Sequence, residues 1–474
     1  MSDPNLDLCY MTATEAIAAF KARSLSPVEL LKAIIARCEQ LQPKVNALTY
    51  TYFDRALEQA KAAEARYAGR GGQPRPLEGV TVAIKDFHPV KGEITTFGSK
   101  MYRDYRPDYT APTVQRLLDA GAIMHCRTTT PEFAHTGVTA SPLWGITRNP
   151  WNLEYTPGGS SGGAGAALAG GMTTLADGTD GGGSIRIPAS ATGVVGYKPP
   201  FGRNPLDSAH PLETILHYGP MAREVADAAL MQNIMSGPHL DDICSLREKI
   251  LLPELFEDIK GSKIAYSLDL GFYSVDPEVR RNTLAAVEVF KSLGCRVEEV
   301  NVGWNWGVAN AWATYWAGLF AGLLGGELPR WRYEMTDALV RIIESGLTLS
   351  AEHFYRINLV RGEMYRTLGP ILENYNVLIC PTLALPAVKH DHNPADSNFT
   401  IAGEKVPASI GWFMTLPFNL VSQCPVIAVP TGFATSGIPT GMQIVGKTFD
   451  DLSVFRAAAA YEKVHPWRAK RPAI

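Results

Sequence analysis

The stretch from Pro157 to Pro188 constrains this chain more than any other. It carries two serine-bearing glycine runs, Gly158-Gly159-Ser160-Ser161-Gly162-Gly163 and Gly181-Gly182-Gly183-Ser184. Glycine has no side chain to clash, tolerates positive φ and loses more entropy than other residues when ordered. So dense a cluster makes poor helix or strand material. It suits a place where backbone N–H groups must turn inward toward a ligand or an oxyanion. The first run is expected to open a helix over Ser161–Ala169, and the apolar segment Met172–Ala176 reads as a buried strand feeding the second run.

The flanking sequence supplies an α/β frame. Val80 to Asp86 is a β-branched run that reads as an interior strand. Residues 111–120 read as a helix and Ile123–Arg127 as the next strand, which argues for crossover connections and a mostly parallel sheet. Upstream, Thr12-x-x-Glu15 is a capping box, and Ser26-Pro27-Val28-Glu29 places a cap, a first-turn proline and an acid. Residues 1–70 are therefore expected to form a helical arm packed on a main α/β domain, 71–474. Within that domain, about 240–375 reads as an inserted lobe, so that the whole is one structural domain.

Composition narrows the function classes. Apolar residues make up 46 % and charged residues 19 % of 474, enough for a large core, and the formal net charge is −3. No basic stripe is present, so nucleic acid is not expected as the primary partner. Seven dispersed cysteines without a CxxC pair suit free thiols in a reducing compartment. The start, MSDPNLDLCY, lacks a secretory pattern, which points to the cytoplasm. Residues 302–326 carry no charge and match a membrane span in length, but their asparagines and glycines favour a buried helix with an aromatic face. A homodimer stays open. His390, Asp391 and His392 read as a solvated loop; no metal and no cofactor are expected. The GxxxxGK[ST] phosphate loop is absent.

The chemistry follows from Ser184. Beside three glycines, its hydroxyl sits next to N–H groups that can hold a developing oxyanion. Serine needs a base, and none of the histidines is near in sequence. Lys85 closes an apolar strand, where desolvation lowers an amine's pKa. Ser160 or Ser161 would then relay a proton between them. A structural alternative pairs Lys85 with Asp86 or another acid.

Ile84-Lys85-Asp86, GGSSGG at 158–163 and GTDGGGSIRIPA at 178–189 resemble the amidase signature family. The resemblance extends to GPMAR at 219–223, Pro381-Thr382 and GIPTGMQIVG at 437–446, and so spans nearly the whole chain. It implies an α/β fold with a central mixed, largely parallel sheet surrounded by helices. It also implies a Ser–cis-Ser–Lys triad with Ser184 as nucleophile, Ser160 as the bridging serine with a cis peptide bond, and Lys85 as base. The oxyanion hole would be Gly181, Gly182, Gly183 and Ser184. The family often carries a larger residue where this chain has Gly181. Ser161, Thr179 and a buried Asp180–Arg186 ion pair read as supports.

The expected activity is hydrolysis of a carboxylic amide C–N bond through an acyl-enzyme. A neutral apolar or aryl small-molecule amide fits the aromatic content, with Phe133, Trp144, Trp316 and Trp412 as candidate pocket residues. Alternatives are hydrolysis of carbamates, ureas or cyclic amides, the glutamine-hydrolysing component of a tRNA-dependent amidotransferase, and a non-enzymatic adaptor that retains the fold.

Overall fold

The computed structural model describes residues 4–208, 210 and 212–474. An eleven-stranded sheet organises it. In chain order its strands are β1 (Leu48–Thr51), β2 (Thr81–Lys85), β3 (Ile123–Thr128), β4 (Leu175–Asp180), β5 (Val195–Lys198), β6 (His217–Ala222), β7 (Lys263–Tyr266), β8 (Arg296–Glu299), β9 (Val377–Pro381), β10 (Val426–Phe433) and β11 (Pro439–Gly446). They lie side by side as β1-β3-β2-β4-β6-β5-β10-β11-β9-β7-β8. The sheet is mixed and surrounded by helices. Parallel pairing occupies two blocks, β3-β2-β4 and β9-β7-β8. The central strands and β1 pair antiparallel.

Each parallel step needs a crossover. The helix Pro112–Asp119 carries the chain from β2 to β3, and Gly162–Ala169 carries it from β3 to β4. Every residue of β2, β3 and β4 is buried, as expected of strands covered on both faces. In contrast, β10 and β11 form a hairpin whose turn holds Gly437 at φ 79°. The strand expected over Met172–Ala176 starts later and runs through Gly178. Its pairing with β6 carries it past the end of the apolar run.

The sheet separates two cores. Ile264, Ile379, Ile427 and Ile444 face one, and their neighbours Ala265, Leu378, Val426 and Val445 face the other, following the two-residue period of a strand. The first core also takes Phe20, Leu30, Ile34 and Leu41 from the N-terminal helices, so those helices close the main core. Both N-terminal capping boxes form, at Thr12 and Ser26. The second core is built on the helix Trp306–Leu324. It buries Trp312, Trp316, Phe320 and Leu324, spaced four apart on one face. No helix of the described residues is long and apolar enough to cross a membrane. Residues 263–299 add β7 and β8 to one edge of the same sheet.

Candidate active site

Lys85 is the last residue of β2 and is fully buried. Its Nζ lies 2.6 Å from Ser160 Oγ, 3.0 Å from Ser161 Oγ and 2.7 Å from Thr179 Oγ1. The amine thus meets three hydroxyls. Burial is the main cause that brings its pKa down to about 7, against the opposing pull of Asp177 and Asp180. The pairing with Asp86 does not occur. The Asp86 carboxylate instead accepts the backbone N–H of Thr96 at 2.9 Å and the Thr96 hydroxyl. Asp177 accepts the backbone N–H of Lys85 at 2.7 Å, and burial raises its own pKa to about 7. His88 Nε2 is 3.3 Å from Asp177 Oδ2, but burial lowers this imidazole to about 3, so it faces the carboxyl as a neutral ring.

The glycine runs are explained by crowding. The Gly159–Ser160 peptide is cis. A Cβ on Gly159 would stand 2.8 Å from the carbonyl oxygen of Thr136. Gly183 takes φ 125°, and a Cβ there would meet Thr415 Oγ1 at 2.0 Å.

Four carbonyls of the second run are pinned outward. Trp312 Nε1 donates to Gly181 O at 2.8 Å and Thr415 Oγ1 to Gly182 O at 2.6 Å. The Ile187 N–H donates to Gly183 O at 2.6 Å, and the Ser161 N–H to Ser184 O at 3.1 Å. The Gly183 N–H is itself committed to Asp180 Oδ1 at 2.7 Å, which removes it from the expected set of oxyanion donors. The N–H groups of Gly181, Gly182 and Ser184 have no acceptor among the described residues.

Asp180 anchors this loop. Arg186 grips it through Nε at 2.9 Å and a terminal nitrogen at 2.8 Å, with both side chains fully buried. Burial alone would raise the Asp180 pKa; the Arg186 charge and its hydrogen bonds, helped by Asn419, hold it well below the usual carboxylate range. Asn419 Nδ2 also donates to Asp180 Oδ1 at 2.9 Å and to Asp180 O at 3.0 Å.

A cavity of about 160 Å³ opens at Ser184, with Ser160, Thr179 and Gly181 on its wall. The rest is mostly aromatic and aliphatic, including Phe87, Phe97, Phe133, Leu216, Trp316 and Phe320, with His210 and Tyr102 among them. Phe133 and Trp316 therefore reach the cavity. Trp144 does not: its indole N–H is tied to Thr96 Oγ1 at 3.0 Å and its ring packs edge-on against Tyr50. Trp412 does not either. It is 1 % exposed in the second core, its ring against Phe413 and its N–H on Ala408 O. Ser160 and Ser184 share the cavity wall, while no hydrogen bond joins their hydroxyls among the described residues.

The amidase family model matches residues 29–455 of this chain. The chain belongs to the amidase signature family. An acylamidase from Rhodococcus erythropolis is 37 % identical over the whole of this chain and 99 % of its own length. A glutamyl-tRNA(Gln) amidotransferase chain from Geotalea daltonii is 31 % identical over 99 % of this chain and all of its own length. Among solved structures, a bacterial aryl acylamidase superposes with a TM-score of 0.90 at 32 % identity, covering 98 % of this chain and 99 % of the other. The chain is an amidase, a hydrolase of amide C–N bonds.

The residues of this amidase that sequence reasoning missed are those that hold the loop from afar. Thr415 and Asn419 lie more than two hundred positions downstream, in a segment without a motif, and their hydroxyl and amide carry no local signal. Trp312 is visible in the sequence as one tryptophan of a cluster. Its use as a hydrogen-bond donor to Gly181 appears once the helix Trp306–Leu324 is laid over the amidase loop.

Proposed function

We propose that Ser184 is the nucleophile, Ser160 the relay and Lys85 the general base of an amidase acting on small aryl amides. The observation that carries this is the Lys85 amine, buried without a carboxylate in contact, among three hydroxyls beside the cavity that holds Ser184.

A proton count supports the roles. Ser161 Oγ faces the Thr179 carbonyl at 3.4 Å, to which it gives its hydrogen, and accepts the Thr179 N–H at 3.2 Å. It is left an acceptor toward Lys85. A neutral amine has two hydrogens, which go to Ser161 and Thr179, and its lone pair then faces the Ser160 hydroxyl. The Ser160–Ser184 hydrogen bond forms when substrate arrives; such catalytic hydrogen bonds commonly tighten only in the complex. Lys85 takes the Ser160 proton, Ser160 takes that of Ser184, and Ser184 Oγ bonds to the amide carbon. The carbonyl oxygen becomes an oxyanion facing the free N–H groups of Gly181, Gly182 and Ser184. The C–N bond breaks as the proton returns from Lys85 through Ser160 to the nitrogen, releasing the amine. Water then cleaves the ester on Ser184 by the same relay.

The cavity supports the substrate class. An apolar cavity of about 150 Å³ holds one benzene, and the cavity here is about 160 Å³ with aromatic walls. One substrate ring fits it. No arginine or lysine lies among the described residues that line it, and the imidazole on its wall, His210, already faces the Asp207 carboxylate at 3.2 Å, which disfavours it as the receiver of the glutamine carboxylate. The test is steady-state hydrolysis of acetanilide, acetamide, a carbamate and glutamine by the purified chain and by Ser184→Ala. Turnover of acetanilide that disappears in Ser184→Ala supports the reading. A preference for glutamine, or full activity in the variant, overturns it.

A further inference from the structure

A second cavity, of about 360 Å³, adjoins the catalytic one at Trp316 and opens at the surface, where Arg341, Ser345 and Ser409 are exposed on its rim. Its walls include Trp312, Ala313, Ala317, Ala338, Ile342 and Phe413. Among the described residues, Trp316 is the one that lines both cavities. Its ring is held on several sides. Nε1 donates to His135 O at 3.1 Å. One face stacks on Trp312, with centroids 5.1 Å apart and planes at 21°. Phe320 packs against it in a T-shaped contact at 5.0 Å. The same indole touches the catalytic loop: a Cβ on Gly181 would stand 2.8 Å from Trp316 Cζ3. The space beside the loop that a larger residue at 181 would take is thus filled by the edge of this tryptophan.

We propose that Trp316 is the partition that sets how long an acyl group this amidase accepts, and that the space behind it is a second binding lobe for an extended apolar acyl chain. The inference rests on the reading that Ser184 is acylated and that the substrate's ring sits in the first cavity. With the ring there and the carbonyl oxygen at the loop, the acyl group meets Trp316 beside Gly181. An acetyl group stops short of it. A long chain collides with the indole unless the indole is absent, and beyond it the alanines at 313, 317 and 338 leave an apolar lobe to receive the chain. The polar groups on that lobe are His135, Thr136, Ser345, Ser409 and the exposed Arg341, beside the apolar surface of Trp312, Ile342 and Phe413.

The test compares kcat/KM for acetanilide and octananilide in the wild type, Trp316→Ala, Trp316→Phe and the double variant Trp316→Ala with Ala338→Phe. The wild type should favour acetanilide. Trp316→Ala should raise the octananilide-to-acetanilide ratio about tenfold or more, since each buried methylene contributes a factor of about four. Trp316→Phe, which keeps a ring in place, should move the ratio far less. Refilling the lobe with Ala338→Phe should take the gain away. An unchanged ratio in folded Trp316→Ala, or a gain that survives Ala338→Phe, overturns the proposal. If Trp316→Ala does not fold, Trp316→Leu is read by the same ratio. If the wild type hydrolyses neither anilide, the aryl-amide reading falls, and the partition is then judged by octanamide against acetamide.

Discussion

Lys85 Nζ stands 2.6 Å from Ser160 Oγ in a fully buried pocket where the amine's other hydrogen-bond partners are also hydroxyls. A lysine so placed has lost water without gaining a counter-ion in contact, and its pKa falls to about 7. Activity that needs the neutral amine should therefore rise with pH. We expect kcat/KM for acetanilide to climb about tenfold per unit below pH 7 and to level off above it. Lys85→Arg keeps a cation and its donors but cannot deprotonate in the working range. It should lose roughly a thousandfold in kcat and show no recovery up to pH 10. A Lys85→Arg enzyme with a wild-type pH profile would remove Lys85 as the base.

The same depression predicts a stability trend of defined sign. Between a folded value of about 7 and the ordinary 10.5, the folded amine binds fewer protons than the unfolded one. Stability from this group is then present in full above the unfolded value and is lost as pH falls through the folded value. In urea unfolding, the wild type should gain on Lys85→Met as pH rises from 7 to 10. A gap that is constant or widens the other way would show that Lys85 is charged in the folded protein.

How much of this was legible in the sequence depends on the range of the interaction. The two glycine–serine runs and the lysine closing an apolar strand are local features, and the cis Gly159–Ser160 bond lies where the resemblance placed it. The Asp180–Arg186 pair is six residues long in sequence and was readable for the same reason. The positions of Trp144 and Trp412 were not. Aromatic content shows that a ring will be buried, but which cavity it faces is set by packing. For Trp144 the deciding partner is Tyr50, and for Trp412 it is Phe413 in the second core. The central antiparallel block escaped too, because local patterns reveal strands and crossovers but not which strands become neighbours.

Arg186 ties the loop to three distant elements at once. Besides Asp180 it donates to Thr415 O at 3.1 Å, Gln443 Oε1 at 2.6 Å and Asn419 Oδ1 at 2.7 Å. Removing one side of a buried ion pair leaves a charge uncompensated, at a cost of about 3–5 kcal/mol. Arg186→Met should lower thermal stability by that order and abolish turnover, with Asp180→Asn milder because an amide keeps part of the hydrogen bonding. The carboxylate contributes above the ordinary carboxyl pKa and is lost only as pH falls through its depressed folded value, so the pair should survive at pH 4. Differential scanning calorimetry of both variants at pH 4 and 7 decides this. An Arg186→Met protein as stable as wild type would show that the pair is dispensable.

Thr415 Oγ1 donates to Gly182 O at 2.6 Å, and the N–H of the same peptide, on Gly183, donates to Asp180 Oδ1 at 2.7 Å, so the two bonds fix the peptide that separates the free N–H groups of Gly182 and Ser184. Thr415→Val keeps the shape and removes the donor. A misaligned oxyanion donor lowers kcat rather than raising KM, because the contact forms in the transition state. We expect a loss of about tenfold to a hundredfold in kcat with KM within about threefold. A rise in KM with no loss of kcat would mean that Thr415 shapes ground-state binding instead.

Trp312 and Gly182 make the sharpest steric test of the loop. A Cβ on Gly182 would fall 2.4 Å from Trp312 Cζ2, while the backbone at this glycine does not take a positive φ. Gly182→Ala is therefore a problem of space alone, of the kind that costs about 1–3 kcal/mol by overpacking. Trp312→Phe removes the clashing ring edge together with the indole donor to Gly181 O. Each single variant should lose activity for its own reason, one by crowding and the other by freeing a carbonyl. In the double variant the crowding is gone, so its loss should be smaller than the product of the two single losses, by a coupling of about 0.5 kcal/mol or more in a double-mutant cycle on kcat/KM. Strict additivity would mean that the alanine methyl and the indole never meet, and that the loop is not pressed against the helix Trp306–Leu324.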